Sequence, residues 1–106
     1  MIYVIGRSGC EPPFIKIGRA KKPQSRVREL QVGNHEKLSI YAIFDWPDEY
    51  EELFHNMFQP YRVFGEWFKT GPEMDGIMTL CSEMPEVAKY LLKSKAKIVP
   101  MLPKPI

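Results

Sequence analysis

The sequence has no long apolar run: none exceeds five residues, as at Ile40 to Phe44, against the roughly 20 a helix needs to cross a bilayer. It has only two cysteines, Cys10 and Cys81, with neither CxxC nor metal-ligand spacing. That excludes a disulfide framework and a cysteine-based zinc site, and makes a reducing, cytoplasmic setting the simplest expectation. The opening "MIYVIGRSG" lacks both a basic stretch and an apolar core of secretory length, so no signal peptide is expected. No internal repeat is present. What remains is an ordinary composition, 44% hydrophobic and 26% charged over 106 residues, enough for one two-layer core without staples. The expected organisation is a single domain over residues 1–94, followed by an extended Pro-rich tail over 95–106 ending "VPMLPKPI".

Charge is unevenly spread. Residues 1–40 hold eight Lys and Arg against three Asp and Glu, whereas residues 41–90 hold three against ten. The stretch "FIKIGRAKKPQSRVREL", residues 14 to 30, carries six cations on what reads as a strand-to-helix corner. A solvated basic surface and a grip for a phosphate-bearing polyanion are the two readings of such a corner.

Local patterning gives the elements. Ile2 and Val4 alternate with Tyr3 and Ile5 in a short β-prone run, and Phe14, Ile15 and Ile17 with Lys16 form a second. The "GRSGCEPP" segment between them predicts a long-looped hairpin. Pro23 suits the first turn of a helix whose buried stripe is Pro23, Val27 and Leu30, with Gly33 in a left-handed cap. "LSIYAIF", residues 38 to 44, is the clearest strand. Asp48 is expected to cap a helix over about 49–58, and "GEWFKTG" to form a short strand or irregular packing segment. Thr70 with Glu73 predicts a capping box, opening a helix that ends near Ser82. "PEVAKYLLK" makes the last helix. The fold class is α/β or α+β, with a small sheet covered by helices.

"IYVI", "IKIGRA", "SRVREL", "YEELFHNMF" and "GEWF" occur here in order, and together they resemble the GIY-YIG endonuclease superfamily, most closely its compact branch with an E-x-x-x-H helix before "GEWF". The resemblance covers residues 2–75. It implies a three-stranded antiparallel sheet flanked by helices that cuts a DNA phosphodiester with one divalent metal, Mg²⁺ or Mn²⁺. Carried over by position, it implies a first-motif tyrosine at Tyr3, a second motif at Lys16, Ile17 and Gly18, a helix arginine at Arg26 and a metal-binding glutamate at Glu51. The chain departs from the pattern at four points. Met1 stands where the first motif has glycine, Lys16 where the second has tyrosine, and Leu30 where a His or Tyr is common. A downstream Asn has no counterpart near Arg62 to Glu66.

The same residues support that chemistry on their own terms. Phosphodiester hydrolysis needs an activated water, neutralised phosphoryl oxygens and help for the leaving oxygen. Arg26 can present a two-pronged donor to phosphate, and Lys16, Arg26 and a metal beside Tyr3 would favour its phenolate. Read alone, Tyr3 is equally a half-buried strand tyrosine, and Lys16 a solvent-facing edge lysine. On a helix, Glu51 and His55 fall on the border of an apolar face made by Tyr50, Leu53, Phe54, Met57 and Phe58, while Glu52 points to solvent. Glu51 is therefore the expected metal ligand and His55 a group orienting it or the "GEWF" segment. Arg19 is expected beside the cleft. Lys21, Lys22 and Arg28 form a basic rim for DNA. Gly18 is a supporting residue, and Glu66 is either a second acid or, preferably, a charge partner of Arg62. A metal-dependent DNA endonuclease is the leading function. A non-cutting DNA-binding module on the same fold, or a phage protein-interaction factor, are the alternatives.

Overall fold

The computed structural model describes residues 1–7, 14–33 and 37–94. The expected "GRSGCEPP" loop conformation, Cys10 and the tail over 95–106 lie outside the described residues. The elements run β1 (Ile2–Arg7), β2 (Phe14–Arg19), α1 (Pro23–Val32), β3 (Leu38–Phe44), α2 (Glu49–Met57), a single 3-10 turn at Gln59–Tyr61, β4 (Arg62–Phe64), β5 (Trp67–Lys69), α3 (Pro72–Glu83) and α4 (Pro85–Lys93). None of the described helices is long and apolar enough to cross a membrane.

The strands make one antiparallel sheet in the order β3-β1-β2-β5-β4. The class is α+β as expected, but the sheet has five strands, not three. The extra pair is a tight hairpin: β5 falls in the "GEWFKTG" segment expected as a short strand or packing piece, and β4 lies just before it, where no strand is expected. Arg62–Phe64 and Trp67–Lys69 are joined by Gly65 and Glu66, and Gly65 sits at φ 52, a backbone state open to glycine at little cost.

Strand β1 lies between β2 and β3 and is packed against a hydrophobic cluster on each face, which is why "IYVI" is apolar without polar alternation. Ile2 and Val4 face one side, joined by Ile15, Ile17 and Phe68 against Phe54 and Phe58 of the α2 region, with α3 and α4 closing the layer. Phe44, Trp46 and Phe54 stack in this core at centroid separations of 4.7 to 6.0 Å. A fully buried Phe54 or Phe58 contributes about 1.5–3 kcal/mol through removal of its ring from water. Tyr3 and Ile5 face the other side, where α1 lays Val27 and Leu30 over them and Leu38.

Three expected helix ends differ. Gly33 follows α1 at φ −92, not in the left-handed region. The α3 cap position is Gly71, and no side chain caps it. Thr70 thus lies one residue before the cap position, and Glu73 accepts a hydrogen bond from the Tyr61 hydroxyl. Asp48 occupies the α2 cap position without capping the backbone; its carboxylate pairs at 3.3 Å with the Met1 amino group.

Candidate active site

The register of the first two strands sets the site. Tyr3 lies directly across from Gly18, and Ile5 across from Lys16. All four therefore project from the α1 face. Tyr3 is only 2% exposed, and its ring lies over the backbone of Gly18: a Cβ there would meet Tyr3 Cζ and Oη at 2.4 Å. The absence of a side chain at Gly18 is what lets the phenol reach outward along β2.

α1 then brings Arg26 to the phenol, and a guanidinium N–H donates to Tyr3 Oη. Arg26 also pairs with Glu29, one turn on, at 3.2 Å. Burial, the largest influence, pushes the Tyr3 pKa above 10.0; Arg26 works against this, while the charges of Glu66 and Glu51 add to it. Lys16 is not the cation that faces the phenol oxygen. It pairs with Glu66, Lys16 Nζ to Oε2, at 3.2 Å. The register explains the pair, because Lys16 lies across from Trp67, and Glu66 is the residue before it. The expected partner of Glu66, Arg62, instead lies over the Phe68 ring at 5.5 Å.

The third wall is α2. Glu51 is part-buried, its side chain 17% exposed, and Arg19 Nε approaches its carboxylate at 3.8 Å. Glu52 is exposed, as the helical spacing required. Burial raises the Glu51 pKa first and the negative charge of Glu66 second, with His55 and Arg19 pulling it down. His55 sits one turn along on the same border. Its Nε2 lies 2.7 Å from the Ile17 carbonyl oxygen, and its ring packs 5.2 Å from Phe68. It ties α2 to β2 by this hydrogen bond and to β5 by ring packing; its hydrogen-bond partner is Ile17 and not the "GEWF" segment.

Tyr3, Gly18, Lys16, Arg19, Arg26, Glu51, His55 and Glu66 are thus linked by contact or by charge around the inner β1–β2 strand pair. The outer rim is different. Lys21 and Lys22 are exposed, and Arg28 turns to the Ser25 hydroxyl at 3.2 Å. No cluster of three or more His, Cys, Asp and Glu able to hold a metal occurs among the described residues. The member that sequence reasoning undervalued is Glu66. Its signal was the two-residue "GE" link between "RVF" and "WFK", which marks a hairpin and so fixes where Glu66 falls.

Each inner cation is held by an anion or phenol of the chain: Lys16 by Glu66, Arg19 by Glu51, Arg26 by Glu29 and Tyr3. Arg26 and Glu29 are both exposed, and a pair of that kind contributes little to stability, about 0–1 kcal/mol, whereas Lys16 and Glu51 are part-buried within theirs.

Residues 1–82 match the family model of the T5orf172 domain. No curated protein and no solved structure matches the chain significantly.

Proposed function

The chain belongs to the T5orf172 domain family, and on that premise we propose that it is a metal-dependent DNA endonuclease with a single GIY-YIG-like site. The observation that carries the reading is Arg26 of α1 hydrogen-bonded to the Tyr3 phenol of β1 over Gly18, with Glu51 of α2 near enough for its charge to act on that phenol. T5orf172 is a phage-associated domain found in some nuclease contexts, which agrees with this reading.

Mg²⁺ or Mn²⁺ fits the donor set. Glu51 is a part-buried carboxylate whose charge is opposed by burial and by Glu66, a strain that a cation relieves. With one carboxylate, the remaining ligands would be water and phosphate oxygens, as hard divalent ions prefer. The ion would supply charge neutralisation and leaving-group stabilisation.

Arg26 and Lys16 bind the backbone. Arg26 is placed to offer two parallel N–H donors to a phosphate in exchange for Glu29, and Lys16 a point charge in exchange for Glu66. Tyr3 Oη, fixed by the Arg26 donor, orients the attacking water, and in the fraction of molecules that has lost the phenol proton to solvent the phenolate takes the water's proton. Because burial raises the Tyr3 pKa, that fraction is small at neutral pH and turnover is slow there. Arg19, Lys21 and Lys22 extend the positive surface along the duplex. His55 keeps Glu51 aimed by anchoring α2 to Ile17.

Incubation of the purified protein with supercoiled plasmid and Mg²⁺ or Mn²⁺ should yield nicked or linear DNA, and EDTA should stop it. Intact plasmid at high protein with Mn²⁺ would favour the non-cutting DNA-binding module instead.

A further inference from the structure

Among the described residues α1 packs chiefly on β1 and β3; Trp67 of β5 is partly buried against the Tyr3, Ile5, Val27 and Leu38 cluster, and Phe64 of β4 beyond it is exposed. Across the β4–β5 end of the sheet the register aligns one rank of side chains: Phe64 opposite Trp67, Trp67 opposite Lys16, and Lys16 opposite Ile5. Phe64 is 62% exposed and Val63 51%. Phe14, Val63, Phe64 and Trp67 line a shallow hollow of about 70 Å³. Lys69, exposed, lies opposite Phe14, and Lys16, paired with Glu66, stands at the inner end of the strip.

We propose that this strip is a stacking platform for unpaired bases, making the substrate DNA with a single-stranded segment beside duplex. The inference rests on the nuclease reading above and names the substrate class of that same site. An exposed phenylalanine on an edge strand is a liability for association, and the residues beside it decide what it suits. Aromatic rings interleaved with lysines are the arrangement that holds a single strand, rings taking base faces and ammonium groups the backbone. The spacing agrees. Phe64 lies two strands from Lys16, roughly 10 Å at the usual strand separation, or about three stacked nucleotides from the scissile phosphate at ~3.4 Å each. The tight turn at Gly65 places Phe64 and Glu66 on either side of one residue, which couples the platform to the site.

The test compares the full chain, Phe64→Ala and Phe64→Tyr, binding a blunt duplex and the same duplex with a ten-thymidine tail, by fluorescence anisotropy with Ca²⁺ in place of Mg²⁺. The parent protein should bind the tailed duplex at least about tenfold more tightly, within the range of one base–aromatic stack. Phe64→Ala should bring tailed DNA down to the affinity of blunt DNA, and Phe64→Tyr should keep the preference. Circular dichroism establishes that each variant is folded. Equal parental affinities for the two DNAs, or a preference that survives Phe64→Ala, would overturn the platform while leaving the nuclease reading in place. A dimer in sedimentation that Phe64→Ala abolishes would reassign the strip to a second copy of the chain. Absence of binding to either DNA would overturn both readings.

Discussion

Tyr3 and Gly18 face each other across the β1–β2 ladder, and the phenol occupies the space that any side chain at position 18 would take, with Cζ and Oη 2.4 Å from the place of a Cβ. Gly18→Ala must therefore displace a ring that is 2% exposed. The expected cost is about 1–3 kcal/mol of stability from overpacking, together with loss of the Arg26 hydrogen bond and of cleavage. Denaturant melts and plasmid cleavage of the same preparation check both effects. Tyr3→Phe, which keeps the ring, should retain the stability and lose the cleavage.

The pH profile of cleavage follows from the Tyr3 environment. Burial raises its pKa above 10.0, so the phenolate grows with pH throughout the accessible range. Single-turnover rates should rise with pH to at least 10, without a plateau near neutrality. Tyr3→Phe should flatten the rise. A rate that levels off at pH 7–8 would assign the base to another group.

Glu51 is held against its own charge. Its pKa is raised by burial first and Glu66 second, so its contribution to stability is fully present below the ordinary 4.5 and is lost as pH rises through the raised folded value. Glu51→Gln should accordingly raise Tm at pH 7 and give no gain below pH 4, while abolishing metal-dependent cleavage. Thermal melts at the two pH values measure the first part. A lower Tm at pH 7 would mean that the contact with Arg19 outweighs the burial.

Lys16 is paired with Glu66 at 3.2 Å. Losing the ammonium leaves the Glu66 charge uncompensated beside Tyr3 and Glu51, both of which it pushes upward. Lys16→Met should slow cleavage by roughly two powers of ten, the usual effect of one preorganised charge. Lys16→Met with Glu66→Gln should be faster than Lys16→Met alone. A double-mutant cycle in rate and in stability separates this coupling from independent effects.

The parts of the molecule legible in the sequence are those written in local periodicity. β1, β2, α1, β3 and α2 follow from alternation, from Pro23 and from the apolar stripe of "YEELFHNMF", and the same stripe distinguishes Glu51 from Glu52. β4 was not legible as a strand because all three of its residues are exposed at a sheet edge, so burial imposes no alternation on them. The partners of the site residues depend on longer-range facts. Arg26 reaches Tyr3 because α1 crosses β1, and Lys16 meets Glu66 because β5 pairs with β2. Neither is encoded within either segment. Charge counting alone favoured Arg62 for Glu66, and the strand register places Arg62 on the opposite face, over Phe68.

The measurement that bears most directly on the central claim is single-turnover cleavage of a DNA duplex with a single-stranded tail, with Mn²⁺, by the parent protein, Tyr3→Phe, Arg26→Ala and Glu51→Gln, alongside their affinities for the same DNA at several salt concentrations. The account predicts cleavage by the parent protein alone. Glu51→Gln and Tyr3→Phe should retain parental affinity and salt dependence, while Arg26→Ala should lower the salt slope by about one counterion. Cleavage by Glu51→Gln at the parental rate would contradict the account.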